Sequence, residues 1–157
     1  MTEHPLKIAV LSDTHGLLRP EVLDACRGVD AILHAGDVGD PAILARLGEL
    51  APVTAIRGNI DVSGVCAALP PTEMVSLGNT TLYMVHALAD LDINPVAAGV
   101  QVVVSGHSHK YAEETRNGVL YMNPGSVGPR RFRLPITMAY FHLAGSQVRV
   151  EQVAIDA

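Results

Sequence analysis

The segment Val102–His109 carries two histidines with one residue between them, directly after a run of valines. The β-branched run predicts a buried strand, and Gly106 lets the chain turn away from it. On extended backbone, residues two apart point to the same side, roughly 6.6 Å apart at about 3.3 Å per residue. That spacing is wide for one metal ion but suits two neighbouring ions, which lie roughly 3.5–4 Å apart in paired sites. A solvent-exposed loop with two unrelated histidines is the alternative that this segment alone leaves open.

Three more hydrophobic runs, all in the first half of the chain, end in loops that carry Asp, Asn or His. Each run is short and apolar, which is typical of a buried strand. The runs and their loops are Leu6–Leu11 before Asp13 and His15, Asp30–Ala35 before Asp37, and Pro52–Ile56 before Asn59 and Asp61. Helices predicted at Arg19–Gly28 and Asp40–Leu50 separate the runs, and such alternation indicates parallel strands. The carboxyl ends of parallel strands share one edge of the sheet, so we expect these loops to meet there.

The second half of the chain consists mainly of predicted strands joined by short turns. A Gly-Asn turn signal separates Glu73–Leu77 from Thr80–His86. Asp90–Ala98 predicts a short helix, although Pro95 interrupts it unless it begins near Asn94. Further strands are predicted at Tyr111–Thr115, Val119–Met122, Ile136–Leu143 and Gln147–Ile155. The pattern predicts an α/β fold in which two sheets pack face to face as a sandwich flanked by helices.

The length and amino-acid composition of the chain favour a single globular domain over residues 1–157. The composition is 48% hydrophobic and 17% charged, and a chain of 157 residues can bury a substantial core. Cys26 and Cys66 lack metal-ligand spacing and are expected to be small buried residues. No apolar run approaches the roughly 18 residues that a membrane span needs. Because Met1–Pro5 is too short and polar to begin a signal peptide, we expect a cytoplasmic protein without membrane association.

The formal charge of −5 argues against stable nucleic-acid binding, because proteins that bind nucleic acid show basic patches or stripes. An acidic chain is compatible with a site that receives phosphate through metal ions rather than through Lys and Arg. Whether the chain forms a homo-oligomer stays open.

Each polar loop also has an ordinary structural explanation. Asp13 and His15 can belong to a plain loop, and Asp37 to a helix cap or turn. Asn59 can be a turn residue in a left-handed conformation, and His86 a half-buried histidine at a strand end. Taken together, these explanations require metal-type ligands to fall by coincidence at one predicted edge, so the set favours a metal site.

The ordered set of motifs resembles the calcineurin-like metallophosphoesterases. The matching residues are Asp13-Thr14-His15, Gly36-Asp37, Gly58-Asn59 with Asp61, His86 after a strand, and Gly106-His107-Ser108-His109, in the family's order. Asn123-Pro124-Gly125-Ser126-Val127 is similar to a turn in the family's small single-domain phosphodiesterase branch, the YfcE type. The resemblance covers roughly residues 6–130, and the ordered set is more specific than any single motif.

The resemblance implies a four-layer αββα fold with a binuclear metal site. It implies that Asp13, His15 and His109 hold one ion, that Asn59, His86 and His107 hold the other, and that Asp37 bridges them. One carboxylate can place each of its two oxygens on a different ion. Nitrogen and oxygen donors without thiolate suit Mn²⁺, Fe²⁺ or Zn²⁺, with Ni²⁺ as a further candidate. The resemblance favours Mn²⁺.

The activity that the resemblance implies is metal-dependent hydrolysis of a small phosphoester, either a phosphodiester or a phosphomonoester. Two divalent ions can lower the pKa of a water between them, orient the resulting bridging hydroxide in line with phosphorus and neutralise charge on the phosphoryl oxygens. The residues expected to take part in catalysis are Asp37, Asn59, Asp61 and His86. Many larger members carry a His after the Asn ligand. This chain has Ile60, which cannot donate a proton, so catalysis would favour good leaving groups or rely on metal-bound water.

Two other features concern the pocket around the site. Ala87 stands where a Gly commonly follows the middle His of the family, which leaves the shape of the pocket wall open. Arg130, Arg131 and Arg133 form a basic cluster after the Pro-Gly turn. Arg130 is the candidate to bind a substrate phosphate in bidentate fashion, and a solvated loop is the alternative. His34, inside a predicted strand, is expected to support ligands or the core.

A non-catalytic protein-interaction scaffold is the alternative function, because a retromer subunit resembles this fold yet has an impaired metal site. All seven predicted ligand positions carry a competent residue here, which favours the enzyme.

Overall fold

The structure is a computed structural model that describes residues 5–155. Residues 1–4 and 156–157 of the predicted domain, which include most of the segment Met1–Pro5, lie outside the described residues. Ten strands occur in the described range: β1 (Leu6–Leu11), β2 (Ala31–His34), β3 (Val53–Ala55), β4 (Thr72–Leu77), β5 (Thr80–Val85), β6 (Val102–Val104), β7 (Ala112–Arg116), β8 (Val119–Asn123), β9 (Thr137–Ala144) and β10 (Gln147–Ala154). The helices in the same range are α1 (Pro20–Ala25), α2 (Pro41–Gly48), α3 (Gly64–Ala67) and a 3₁₀ turn, Leu88–Asp90.

The strands form two five-stranded mixed sheets with the orders β10-β9-β1-β2-β3 and β4-β5-β6-β8-β7. In the first sheet, β1, β2 and β3 are parallel neighbours, as the strand and helix alternation predicts. In the second sheet, β5, β6 and β8 are parallel neighbours. The ends of these parallel strands therefore lie at one edge of each sheet.

Both faces of the first sheet are buried, which explains the continuous apolar sequence of β1. Ile8 and Val10 point toward the second sheet and pack in the core between the sheets with Leu82, Met84 and Phe141. The alternate residues of β1 pack on the opposite face against α1 and α2. The predicted two-sheet sandwich with flanking helices is confirmed.

The outer face of the second sheet is covered differently. Leu91 and Ile93 pack there against Tyr83, Val85 and other apolar residues of the sheet. The predicted helix Asp90–Ala98 is wrong, because the segment forms the 3₁₀ turn Leu88–Asp90 and then a single turn over residues 95–99.

The physical reason lies in the two residues that bound this turn. Pro95 has no N–H to continue a helical ladder, and Gly99 takes a left-handed φ of 73°, which ends the turn. Helix α3 is a single turn of four residues, too short to produce a helical period in the sequence. None of the helices in the described residues is long and apolar enough to cross a bilayer.

The two phenylalanines of the chain provide a matched test of the core. Phe141 is fully buried between the sheets, whereas Phe132 is 93% exposed. Phe141→Ala is expected to lower the free energy of unfolding by about 3–5 kcal/mol, because it removes buried apolar surface and leaves a cavity. Phe132→Ala is expected to change it by less than about 0.5 kcal/mol. Urea denaturation of both variants measures the difference, and equal stabilities would contradict the assigned core.

Candidate metal centre

Loops from both sheets meet at one end of the sandwich. Asp13 follows β1 and Asp37 follows β2, while His86 follows β5 and the pair His107 and His109 follows β6. Within the first sheet the Asp13 N–H donates to the Gly36 carbonyl over 3.0 Å, and within the second the Gly106 N–H donates to the His86 carbonyl over 2.8 Å. The predicted convergence of the ligand loops is therefore present in the fold.

One cluster of metal-type ligands consists of Asp13, His15 and His109. The Nε2 atoms of the two histidines are 3.2 Å apart. The Asp13 Oδ1 atom lies 3.6 Å from the Nε2 of His15 and 3.4 Å from that of His109. Two nitrogens and one oxygen thus face a common point.

A second cluster consists of Asp37, His86 and His107. The Nε2 atom of His86 lies 3.1 Å from Asp37 Oδ2, and the rings of His86 and His107 meet edge to face. The two clusters adjoin, because the same Asp37 Oδ2 atom lies 3.4 Å from the Nε2 of His15. One carboxylate oxygen therefore faces ligands of both clusters.

In both Asp13 and Asp37, one carboxylate oxygen accepts hydrogen bonds from neighbouring groups and the other faces the ligand clusters. Asp13 Oδ2 accepts hydrogen bonds from the Ser12 hydroxyl over 2.7 Å and from the His107 N–H over 3.1 Å. Asp37 Oδ1 accepts the Ile60 N–H over 3.1 Å. Asp37 Oδ2 faces both clusters. That the two oxygens of Asp37 serve different ions stays a prediction.

The tautomer of His86 is fixed by a backbone group. Its Nδ1–H donates to the Ala35 carbonyl over 2.7 Å, which leaves the Nε2 lone pair toward the carboxylates. Asp13 Oδ1 and His86 Nε2 are both buried without a hydrogen-bond partner. Because buried polar atoms are almost always satisfied, this pair of orphaned donor atoms fits a bound cation. The residues present therefore suit divalent metal ions.

The pKa shifts of His86 and Asp37 also favour a cation at the second cluster. Burial lowers the pKa of His86, but the adjacent Asp37 carboxylate, the hydrogen bond to the Ala35 carbonyl and the charge of Asp13 raise that pKa overall. Burial raises the pKa of Asp37, yet His86 and the Ile60 N–H hold it well below its usual range. Both shifts reflect the excess of negative charge at this cluster, which a bound divalent cation would offset in place of a proton on His86.

The backbone at five of the seven predicted ligands is left-handed rather than extended. Positive φ values occur at Asp13, His15, Asp37, His107 and His109, between 47° and 73°. The expectation that the two histidines after β6 lie on extended backbone is wrong. Among described non-glycine residues only Asn117 and Phe132 also have positive φ. Such conformations cost roughly 1–3 kcal/mol each and cluster at functional sites.

Asp61 holds two ligand loops together. Its carboxylate accepts the N–H groups of Val38 and Gly39 from the Asp37 loop, over 3.1 and 3.0 Å. It also accepts the Gly58 N–H, beside Asn59, over 2.9 Å. These bonds make Asp61 a positioning residue, and a direct part for it in catalysis stays a prediction.

His34, at the end of β2, connects the loop that carries Asp13 to the loop that carries Asp37. The Gly36 N–H donates to its Nδ1 atom over 3.1 Å, so the Nε2–H donates to the Thr14 hydroxyl over 3.0 Å. Thr14 in turn donates to the Val38 carbonyl over 2.7 Å. Complete burial lowers the pKa of His34 to about 4, which keeps the ring neutral. The predicted supporting role of His34 agrees with these contacts.

The sequence did not single out three other supporting side chains as site residues. The Asn123 amide donates to the Gly106 carbonyl over 2.9 Å and to the Ser108 hydroxyl over 3.1 Å. The Ser126 hydroxyl donates to the Asp13 carbonyl over 3.0 Å, and Ser12 holds the same aspartate as described above. Asn123 and Ser126 lie in the motif that resembles the YfcE-type turn, which was the available signal.

Two predicted site residues lie at the margin of the clusters. Asn59 is exposed, and it lines one cavity with His107 and a neighbouring cavity with His86. Arg130 is exposed, and its guanidinium donates to the Leu134 carbonyl over 3.3 Å. Burial lowers the pKa of His109, and the charge of Arg131 adds to this effect against the charge of Asp13. Phosphate binding by Arg130 stays a prediction.

A two-sheet sandwich whose strand ends carry adjoining carboxylate and imidazole clusters has the architecture of a metallohydrolase. The model of the calcineurin-like phosphoesterase superfamily domain matches residues 6–146. A probable metallophosphoesterase from Methanothermobacter thermautotrophicus is 33% identical over 163 residues, which cover 96% of this chain and 93% of that protein. The chain belongs to the calcineurin-like phosphoesterase superfamily.

Two other similar proteins differ in how closely their sequences and folds match this chain. The phosphodiesterase YfcE from Escherichia coli is 32% identical over 146 residues, covering 78% of this chain and 79% of YfcE. A solved structure of YfcE has a TM-score of 0.65 and covers 96% of this chain. Vacuolar protein sorting 29 from Cryptosporidium parvum has a TM-score of 0.79 at 15% identity and covers 99% of this chain and all of its own, which shows the fold alone.

The close packing of glycines against ligands yields a test of the site. A Cβ atom at Gly58 would collide with Asp37 Oδ1 and with the Asp37 backbone nitrogen, whereas one at Gly48 meets nothing within 4 Å. Gly58→Ala is expected to lower the free energy of unfolding by about 1–3 kcal/mol and to weaken metal binding, since Asp37 must move. Gly48→Ala, in α2, is expected to raise stability by roughly 0.4–1 kcal/mol.

Urea denaturation and calorimetric titration with Mn²⁺ measure the two effects. Unchanged metal affinity in Gly58→Ala would show that the position of Asp37 does not matter for the site.

Proposed function

We propose that the protein is a binuclear metal-dependent phosphoesterase, a phosphodiesterase or phosphatase that hydrolyses a small or activated phosphoester. Asp13, His15 and His109 would hold one ion, Asn59, His86 and His107 the other, and Asp37 would contact both. The observation that carries the proposal is the pair of adjoining clusters, which share Asp37 Oδ2. Membership in the phosphoesterase superfamily supports the reaction class.

The donor set supports hard or borderline metals. Imidazole nitrogens and carboxylate oxygens suit Mn²⁺, Fe²⁺, Zn²⁺ or Ni²⁺, and both cysteines are buried and free. We favour Mn²⁺. When bound, two such ions supply an activated water as nucleophile and neutralise charge on the phosphoryl oxygens.

The chain itself contributes rigidity to this chemistry. The Ala35 carbonyl orients the His86 ring, and the backbone N–H of His107 orients the Asp13 carboxylate. Asp61 ties the Asp37 and Asn59 loops through three backbone bonds. Because the ligand atoms are held before substrate arrives, little reorganisation is needed during the reaction.

The chain offers no obvious proton donor next to Asn59. Ile60 is 44% exposed and carries no titratable group, and the oxygens of Asp61 are already bonded to backbone N–H groups. Leaving groups that depart without protonation should therefore react best. This argument supports an activated phosphoester or a leaving group of low pKa as the preferred substrate.

A non-catalytic interaction scaffold is the second candidate. The observation that favours it is the high structural similarity to vacuolar protein sorting 29, since one fold can serve unrelated functions. The enzyme is preferred because carboxylate and imidazole ligands form both clusters here.

Hydrolysis of bis(p-nitrophenyl) phosphate tests the proposal. Chelated protein is expected to be inactive, added Mn²⁺ should restore turnover, and His109→Ala should lower it by at least about 100-fold, more than loss of a supporting residue does. His142→Ala is the matched control, because His142 pairs with Glu151 over 2.8 Å on β9 and β10. If the Mn²⁺-loaded wild type hydrolyses no faster than His109→Ala, the scaffold is the better explanation.

The two histidines after β6 provide a separate test of the binuclear arrangement. His109→Ala is expected to lose the ion held with Asp13 and His15, and His107→Ala the ion held with Asn59 and His86. Metal analysis should find one ion in each variant and two in the wild type, and anomalous diffraction should locate the remaining ion at opposite clusters. Loss of the same ion in both variants would refute the assignment.

A further inference from the structure

A cavity of about 510 Å³ opens beside the second cluster. Asn59, Gly106 and His107 form its wall on the side of the candidate metal centre, and Asn123 extends that wall. The remaining walls come from residues 87–90 and from strands β7 and β8. Its volume falls within the roughly 300–1,000 Å³ range of sites for small organic ligands.

The cavity walls are largely apolar. Ala87, Leu88 and Ala89 line one side, and Ala112 and Met122 line the other. A phosphoryl group at the clusters would have this apolar space next to it. The cavity is thus suited to the organic part of a phosphoester rather than to its phosphate.

The charged groups of the cavity disfavour a second anion. Asp90 and Glu114 are carboxylates, and Arg116 is the one Lys or Arg among the described lining residues. The Arg116 guanidinium is already paired with Glu114 over 2.8 Å. It also lies over the Tyr121 ring, 5.1 Å from the ring centre. An anionic group entering here would meet two carboxylates and no free cation.

The Arg116 guanidinium covers one face of the Tyr121 ring, and the Arg116 side chain, 52% exposed, offers a flat surface within the same cavity. Aromatic rings and guanidinium planes both stack against planar organic groups. Alanines on the neighbouring walls leave room for such a group.

We propose that this cavity binds an uncharged aromatic group of a phosphodiester substrate, next to the phosphoryl group at the two clusters. The inference rests on the proposed function, because the metal centre is what places a phosphoester beside the cavity. It assigns Ala112, Arg116 and Tyr121 to substrate selection. The cavity selects for shape and charge, and the clusters bind the phosphate that all phosphoesters share.

Strand β7 supplies a matched pair of variants. Ala112, Glu114 and Arg116 line the cavity, since alternate residues of a strand point to one face. Thr115 is exposed on the same strand and lines a different depression. Ala112→Trp therefore fills the cavity, and Thr115→Trp adds the same side chain on the other face.

Calorimetric titration of the Mn²⁺-loaded protein with diphenyl phosphate and with dimethyl phosphate tests the inference without turnover. Both probes carry one phosphodiester charge and differ only in their organic groups. The wild type and Thr115→Trp are expected to bind diphenyl phosphate at least about tenfold more tightly, because burial of a phenyl group contributes that much. Ala112→Trp is expected to bind the two probes within about twofold of each other.

Bis(4-carboxyphenyl) phosphate tests the charge argument. It is expected to bind at least about tenfold more weakly than diphenyl phosphate, because its carboxylates would face Asp90 and Glu114. Equal binding of diphenyl and dimethyl phosphate by the wild type would overturn the inference, as would an unchanged preference in Ala112→Trp. If circular dichroism shows that Ala112→Trp is unfolded, Ala89→Trp, on the opposite wall, replaces it with the same expected result.

These outcomes separate the two proposals. A protein that selects diphenyl phosphate but hydrolyses no phosphoester would retain the cavity assignment and lose the proposed function. A protein that hydrolyses bis(p-nitrophenyl) phosphate without any preference in binding would retain the function and lose the cavity assignment.

Discussion

The hydrogen bond between the His107 N–H and Asp13 Oδ2 joins the ligand loops of the two sheets. It fixes one carboxylate oxygen and leaves the other buried and unpartnered inside the clusters. The bond forms only because the backbone at Gly106 lies against Ser12 and Asp13, where a Cβ atom would collide with both side chains. Close approach of two loops at a glycine is therefore the constraint on which the site depends.

The same arrangement is unfavourable in the absence of a cation. Asp13 Oδ1 and His86 Nε2 lack hydrogen-bond partners, and five ligand residues adopt left-handed backbone conformations. Unsatisfied buried groups and strained backbone both lower stability. An ion that binds only the folded chain raises the free energy of unfolding. Folding of the ligand loops and binding of the metal ions are therefore expected to be thermodynamically linked.

Rigid support surrounds this strained centre. Asp61 and His34 bond to backbone and hydroxyl groups of the ligand loops, and both are buried. The cavity beside His107 has a different character, with alanines and exposed residues of an edge strand in its walls. Asn59, His107 and Asn123 line both regions, whereas Ala112, Arg116 and Tyr121 belong to the cavity alone. Substitutions at those three positions can therefore change selectivity without removing a ligand.

The sequence by itself determined where the strands end and which ligand types follow them. Hydrophobic runs such as Leu6–Leu11 are local signals, and the chemistry of Asp, Asn and His does not depend on the rest of the fold. Parallel strands share an edge, so the meeting of the loops also followed from the sequence. The resemblance to a family grouped Asp13 with His15 and His109, and His86 with His107, as the two clusters do. The assignment of Asn59 to the second ion stays a prediction.

Only the tertiary structure decided how those ligands converge. The left-handed backbone at Asp13 and His107, the single oxygen of Asp37 that faces both clusters, and the bonds of His34 all depend on contacts between distant segments. Two short turns likewise stand in place of a predicted helix, and Leu91 and Ile93, between those turns, pack on the second sheet. Local periodicity carries no information on such contacts, because packing between loops that are far apart in sequence determines them.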